Sequence, residues 1–202
     1  MSLRVLILVV FVWLLLIIVE YYFSLYPIVW IIFSIVGLGL VAVLFAQIIL
    51  LIQEWKSPKK LRLQITSVSL LLLFLTIYHY SITSIIEKID WLVLYNKRLG
   101  IVEKVKQNKL NPNVSWNNWI CELDYEFPIV SNGGNDIGIL RNQYDGKLTV
   151  TFFAQRNFFN TPPICFVYTN DPEQVKHFDK LIINDPNNNW KIEDNWYRTF
   201  EK

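Results

Sequence analysis

Residues 28–52 have the sequence IVWIIFSIVGLGLVAVLFAQIILLI, which contains no charged side chain. The hydrocarbon core of a bilayer is about 30 Å thick, and a helix needs roughly 20 apolar residues to cross it. This run is therefore long enough to span a membrane with some tilt. Two shorter runs, Val5–Val19 and Leu63–Ile77, reach that length when the leucine and tyrosine residues at their ends are counted as interfacial. The sequence thus predicts three transmembrane helices.

The charged residues lie almost entirely outside these runs. The chain has 202 residues and a net charge of +2, and residues 1–80 contain only seven charged side chains. Residues 97–202 contain 13 Lys and Arg against 13 Asp and Glu, so this half is neutral and offers no basic surface for nucleic acid. Its length suits one small domain. We predict a three-span membrane domain over 1–80, a helical connector over 81–110 and a second domain over 111–202.

Two loops of unequal charge predict the orientation. Four basic residues lie in the loop Gln53–Arg62, whereas the loop Glu20–Pro27 contains none. Because short basic loops remain cytoplasmic, the N-terminus is predicted inside and residues 81–202 outside. Basic residues after the third run reduce this asymmetry. A cleaved signal peptide is the alternative for the first run, but no Ala-x-Ala-like site follows it, so we predict a retained anchor.

Small residues form a stripe along the longest run. Gly39, Ala42 and Ala46 are spaced by three and four residues, which permits another helix to approach closely on that face. The stripe serves either packing among the three spans or contact with a helix of a partner. Gln47 is the only strongly polar side chain deep in a run, and an interhelical hydrogen bond is its expected role. Because no ionisable side chain lies deep in a run, an ion or proton pathway is not predicted.

The second half of the chain changes from helical to strand periodicity. Apolar positions recur at helical spacing from Ile82 to Val105, with a break expected at Gly100. Strand-like stretches then follow at 119–125, 147–153, 164–169, 190–193 and 196–200. Between them, Pro172 and Glu173 are typical of the first turn of a short helix. The predicted fold class of this half is α+β with a mostly antiparallel sheet.

One hairpin is predicted from its turn. Asp145-Gly146 is a strong two-residue turn sequence, and it pairs residues 136–142 with residues 148–154. A type I′ turn requires positive φ at both central residues, which Asp and Gly tolerate. The stretch Ser131–Asn135 is predicted to be a loop from its Ser, Asn and Gly content.

Several short segments of this half are similar to segments of other proteins. They are Gly133-Gly134 before an alternating strand, Thr149-Val150-Thr151-Phe152-Phe153, Phe166-Val167-Tyr168 and the closing Asn195-Trp196-Tyr197. Over roughly residues 100–200 the chain resembles a group of uncharacterised bacterial multi-pass membrane proteins with a small extracytoplasmic α+β domain. The resemblance implies a bacterial origin and attaches no activity. With the predicted orientation, it places the chain in the bacterial inner (cytoplasmic) membrane with its C-terminal domain extracytoplasmic.

The sequence contains no motif for catalysis, metal binding or phosphate binding. We therefore predict no catalytic residue, no cofactor and no metal site. Cys121 and Cys165 lie in predicted strands, and the predicted orientation exposes them to an oxidising compartment. They form either a disulfide or two buried free thiols, because a disulfide requires Cα atoms within about 7 Å.

Three tryptophans lie beside Asn-rich stretches. Packing in the core or against the membrane is one interpretation of Trp116, Trp119 and Trp190. A partner surface is the other, because interfaces are enriched in Trp.

Two function hypotheses follow. The first is a non-enzymatic membrane-anchored binding protein whose partners are the lipid bilayer and a protein; a toxin-immunity protein and an accessory subunit of an envelope complex are its concrete forms. The alternative is an envelope lipid- or glycan-modifying enzyme, for which a cleft must bring together Asp136, Arg141, Asp145, Arg156 and His177.

Overall fold

A computed structural model of the chain describes residues 3–53, 56, 60–77, 79–126, 128–132, 134–142, 146–156 and 163–200. The helices in these residues are α1 (Leu3–Phe23), α2 (Pro27–Gln53), α3 (Lys60–Ile77), α4 (His79–Lys106) and α5 (Pro172–Asn184). The strands are β1 (Ile120–Glu122), β2 (Asp136–Arg141), β3 (Leu148–Gln155), β4 (Ile164–Thr169), β5 (Trp190–Glu193) and β6 (Trp196–Phe200). The chain divides into two compact units. The helical unit comprises Met1–Tyr21 and Pro27–Lys88, and the mixed unit comprises Tyr22–Tyr26 and Ile89–Lys202.

The helical unit contains the three apolar runs. Among the described residues, α2 is the one helix that is both long and apolar enough to cross a membrane, and a shorter apolar segment, Val10–Phe23, lies in α1. The prediction of three transmembrane helices is therefore not supported in the described residues, where one helix passes this test.

A small core holds the helical unit together. Trp13, Ile17 and Leu72 are its buried residues, and the rings of Trp13 and Phe33 lie 6.1 Å apart. Within the described residues, the Oε1 atom of Gln47 is buried without a hydrogen-bond partner, so the expected interhelical hydrogen bond to this atom is not formed. An apolar cavity of about 460 Å³ lies between α1, α2 and α3.

The small-residue stripe of α2 is not a packing surface in the described part of the helical unit. Gly39, Ala42 and Ala46 are all exposed. A Cβ atom built at Gly39 would have no neighbour within 4 Å. Of the two expected roles, packing among the spans through this stripe is therefore not observed in the described residues.

The mixed unit is built on one six-stranded antiparallel sheet of order β1-β2-β3-β4-β6-β5, which confirms the predicted α+β class. Alternate side chains of each strand enter two cores, one on each face of the sheet. On the first face, Val102 and Val105 of α4 pack against Val150, Phe152 and other residues. On the second face, α5 packs through its buried Phe178.

The start of α5 agrees with the sequence prediction, whereas the course of α4 does not. Asp171 caps α5 by accepting a hydrogen bond from the Glu173 N–H at 2.9 Å, with Pro172 in the first turn as predicted. The predicted break at Gly100 is wrong, because α4 continues without interruption to Lys106. Buried Ile101 and Val102 make packing contacts that outweigh the cost of about 1 kcal/mol of a helical glycine.

β2 and β3 pair as predicted, but the loop that joins them is longer than the predicted two-residue turn. Ile137 lies opposite Phe152 and Arg141 lies opposite Leu148. The Asn142 N–H donates to the Lys147 carbonyl at 2.8 Å, so four residues rather than two separate the paired ends. Gly146 has the positive φ that was expected, and Asp145 lies outside the described residues. The register between β2 and β3 is fixed by their buried side chains. This register determines how many residues remain for the loop.

Candidate functional site

A buried ion pair on α4 is the most constrained polar group of the mixed unit. Asp90 and Arg98 are 3% and 1% exposed, and the guanidinium Nη2 donates to the Asp90 Oδ2. They are separated by eight residues, a rise of about 12 Å. The pair forms because side chains on a helix lean towards its N-terminus, so the long Arg98 side chain extends back along α4 to Asp90.

Each of the three nitrogens of the Arg98 guanidinium donates a hydrogen bond. Its Nε donates to the Val130 carbonyl at 3.1 Å, and its Nη1 donates to the Asp90 carbonyl at 3.2 Å. Its flat face lies 4.7 Å from the centre of the Phe166 ring and 6.0 Å from that of Trp91. Hydrogen bonds, an opposite charge and aromatic faces together compensate the loss of hydration that burial imposes on this charge.

The short segment between α1 and α2 belongs to the same site. The Tyr22 hydroxyl donates to the Asp90 Oδ1 at 2.8 Å, so both carboxylate oxygens of Asp90 accept hydrogen bonds. The Ser24 hydroxyl donates to the Arg156 carbonyl at 3.0 Å. These two bonds explain why Tyr22–Tyr26 forms part of the mixed unit although it lies between two apolar helices in the sequence.

A second ion pair lies on the α5 side of the sheet. The Arg156 Nη1 is 3.6 Å from the Asp136 Oδ2, and both side chains are partly exposed. The guanidinium also lies 4.7 Å from the centre of the Phe153 ring. Glu122 lies directly opposite Asp136 on the neighbouring strand, which places two carboxylates side by side.

This environment changes the protonation of Asp136 and of a neighbouring thiol. Burial raises the pKa of the Asp136 carboxyl, the Arg156 charge lowers it, and the Glu122 charge raises it further, with a net increase. Burial also raises the pKa of the Cys121 thiol, and the charges of Asp136 and Glu122 add to that increase. Cys121 therefore stays a thiol rather than a reactive thiolate at neutral pH.

A buried loop connects the two ion pairs. Ser131 and Asn132 are almost fully buried, which is unusual for residues predicted to lie in an ordinary loop. The Phe153 N–H donates to the Ser131 hydroxyl at 2.9 Å, and the Asn132 N–H donates to the Phe153 carbonyl at 2.6 Å. The neighbouring Val130 carbonyl accepts from Arg98. The loop therefore bonds to Arg98 on α4 and to Phe153 on β3. Gly133 of this loop lies outside the described residues.

The five residues named for the enzyme hypothesis do not share one cleft among the described residues. Asp136 and Arg156 are adjacent, as given above. Arg141 lies at the opposite end of β2, where its Nη2 donates to the Val105 carbonyl at 2.7 Å. His177 is exposed on α5, which contacts β6, about 14 Å from β2 at the usual strand spacing. Asp145 is not described. A metal-binding group of three or more His, Cys, Asp or Glu is likewise not found in the described part of the chain.

Cys121 and Cys165 are both buried free thiols. Cys121 enters the core on the α4 face, whereas Cys165 enters the core on the α5 face. Their strands, β1 and β4, are separated by β2 and β3. The disulfide alternative is therefore wrong for this fold, because side chains on opposite faces and three strand spacings apart do not meet the geometry of a disulfide.

The three tryptophans of the predicted partner surface have different environments. Trp116 is 68% exposed. Trp119 packs on Gly138 so closely that a Cβ atom there would lie 2.4 Å from the ring, and it joins the core on the α5 face. Trp190 is half-buried under the Arg198 guanidinium, 4.6 Å from the ring centre. Of the three, Trp116 alone presents most of its surface to solvent.

Sequence reasoning did not identify the Tyr22, Asp90 and Arg98 group. The helical spacing of the apolar positions predicts α4 but not this group, because a single sequence does not distinguish a solvated charge from a paired one. The spacing of two helical turns between Asp90 and Arg98 was the available signal.

No protein-family model matches the chain, and no curated protein or solved structure is significantly similar to it.

Proposed function

We propose that the protein is a non-enzymatic membrane-anchored binding protein, in which three spans hold the mixed unit outside the bacterial inner membrane and present it to a protein partner. In this proposal α2 is the principal anchor, and α1 and α3 complete the anchor as two further spans. A toxin-immunity protein and an accessory subunit of an envelope complex are the two forms considered.

The proposed membrane topology is supported by the position of the segment between α1 and α2. Tyr22–Tyr26 connects α1 to α2 and yet belongs to the same compact unit as Ile89–Lys202. An odd number of crossings between this segment and the C-terminal half would put them on opposite sides of the membrane. Two crossings, α2 and α3, put them on the same side, as the hydrogen bonds of Tyr22 and Ser24 require. The basic loop between α2 and α3 is then cytoplasmic.

The partner surface is proposed on one edge of the sheet. β1 is a short edge strand, and two largely exposed aromatic residues flank it: Trp116 before and Tyr125 after. Exposed Trp and Tyr side chains are features of protein recognition sites. The scattered positions of the described enzyme candidates further favour binding over catalysis.

Labelling in intact cells tests the topology. A membrane-impermeant thiol reagent should modify Asn113→Cys and should leave Lys56→Cys unmodified until the cells are opened. Because Cys121 and Cys165 are buried, the wild-type chain measures the background. Labelling of position 56 but not of 113 in intact cells would contradict the proposed orientation.

Photo-crosslinking tests the partner surface. A crosslinking amino acid at Trp116 should give a specific protein adduct in cells, and the same amino acid at Ile183, which is exposed on α5, is the matched control. Equal or absent adducts at the two positions would contradict a partner surface at this edge.

A further inference from the structure

In the first half of α4, apolar side chains are exposed and polar side chains are buried. Ile85, Ile89, Leu92 and Val93 are between 54% and 74% exposed. On the other side of the same turns, the polar residues Thr83, Glu87 and Asp90 are between 3% and 7% exposed. A helix on the surface of a water-soluble protein has the opposite arrangement, with apolar residues inside and charges outside.

The four exposed apolar residues form one continuous face. At 100° per residue they fall within an arc of about 100° on the helix. Further along this arc the exposed residues are Asn96, Gly100 and Glu103, none of which is apolar and bulky. The face therefore changes from apolar to polar between Val93 and Asn96, without any change in the helix itself.

We propose that this apolar face of α4, formed by Ile85, Ile89, Leu92 and Val93, contacts the hydrocarbon of the bilayer, and that the membrane surface crosses α4 between Val93 and Asn96. The proposal rests on the membrane anchoring given above and is independent of the protein partner. It adds an interfacial lipid contact to the three spans.

Two features favour lipid over a protein as the occupant. First, a switch from apolar to polar at one level of a continuous helix is what a helix shows where it leaves a bilayer. Lys88 is exposed at the margin of the face, where its aliphatic stem can lie along lipid while its ammonium reaches the headgroups.

Second, the charges of Asp90 and Arg98 on the inner side of α4 are paired, as a low-dielectric environment requires. Asp90 accepts hydrogen bonds from Tyr22 and Arg98, and the guanidinium of Arg98 has further acceptors. Charged residues at membrane depth persist when they face the protein interior and pair with one another. This pairing was established from distances and is independent of the exposed face.

The test uses the full-length chain reconstituted in phosphatidylcholine vesicles. A bimane fluorophore is attached at Leu92→Cys, with Ile89→Cys as a second position on the face in case the first variant does not fold. Asn96→Cys is the matched control one turn further along α4. Ile183→Cys reports water, and Leu38→Cys, exposed on α2, reports lipid. Brominated phosphatidylcholine quenches from the hydrocarbon, and iodide quenches from water.

The expected result is loss of fluorescence with brominated lipid at 38, 89 and 92, and loss with iodide at 96 and 183. Quenching of positions 89 and 92 by iodide while position 38 is quenched by brominated lipid would overturn this inference and leave the membrane anchor intact. Protection of 89 and 92 from both quenchers would also overturn it, because a second copy of the chain would then cover the face. Quenching of position 38 by iodide would instead overturn the membrane anchoring.

Discussion

The Asp90–Arg98 pair and the Asp136–Arg156 pair join the same two kinds of charge in different surroundings. The first is almost fully buried, with each polar group of the guanidinium and both carboxylate oxygens hydrogen-bonded. The second is partly exposed, has a separation of 3.6 Å, and lies beside a further carboxylate. An exposed pair gains little because water screens it, whereas a buried pair becomes costly as soon as one partner is lost.

This difference assigns different roles to the two pairs. The Asp90–Arg98 pair connects α4 with the loop at Val130 and, through Tyr22, with the segment between the first two helices. It therefore joins three parts of the mixed unit that are distant in the sequence. The Asp136–Arg156 pair contributes less to stability, and its main effect is on the protonation of Asp136.

The largest expected effect comes from removing the buried cation. Arg98→Met keeps an unbranched apolar side chain in place of the aliphatic stem and leaves Asp90 buried without its ion-pair partner. The free energy of unfolding should fall by about 3–5 kcal/mol, measured by denaturant titration of the purified full chain with tryptophan fluorescence as the signal.

The double variant Asp90→Asn with Arg98→Met is the control for this interpretation. Because it removes both charges, it should recover part of the lost free energy of unfolding. The loss in the double variant is compared with the sum of the losses in the two single variants. If the two values are equal, the side chains act independently and the pair is not the source of the effect.

A smaller loss is expected at Tyr22. Tyr22→Phe removes one hydrogen bond to the Asp90 carboxylate and keeps the ring, so the free energy of unfolding should fall by about 1.5 kcal/mol. Tyr26→Phe is the matched control, since Tyr26 is exposed and lies in the same segment. Equal stability of the Tyr22→Phe variant and the wild-type chain would exclude Tyr22 from the network.

Substitution in the Asp136–Arg156 pair should reduce the free energy of unfolding less than substitution of Arg98 or Tyr22. Arg156→Gln should lower the free energy of unfolding by less than about 1 kcal/mol, as for other pairs near the surface. The measurement is the same denaturant titration. A loss comparable to that of Arg98→Met would remove the distinction between the two pairs.

The smallest expected effect is a pH dependence at Asp136. The folded chain retains the Asp136 proton to higher pH than the unfolded chain, whose carboxyl has a pKa of about 3.9. The free energy of unfolding should therefore decrease as pH rises from about 4 through the raised pKa, and it should become constant above it. Asp136→Asn should lack this contribution, as seen by titrating both chains across the same pH range.

Two substitutions should shift this pH dependence in opposite directions. Glu122→Gln removes a charge that raises the pKa of Asp136, so the decrease should end at lower pH. Arg156→Gln removes the charge that lowers this pKa, so the decrease should extend to higher pH. Shifts in the same direction would contradict the assigned causes.

The sequence by itself determined the element types, because they depend on local spacing. The apolar run at 28–52, the helix after residue 80, the start of α5 at Pro172 and the strands around Val150 follow from periodicity and turn residues. The positive φ at Gly146 was likewise predictable from its residue type.

The tertiary structure alone decided which polar residues meet. Asp90, Arg98, Tyr22 and Val130 come together through packing between distant parts of the chain, and no local pattern encodes that meeting. The same applies to Cys121 and Cys165, whose separation depends on strand order and on which face each residue takes. Backbone conformation responds to neighbours in sequence, whereas burial and pairing of charges respond to neighbours in space, and for that reason the polar network became visible only in the folded chain.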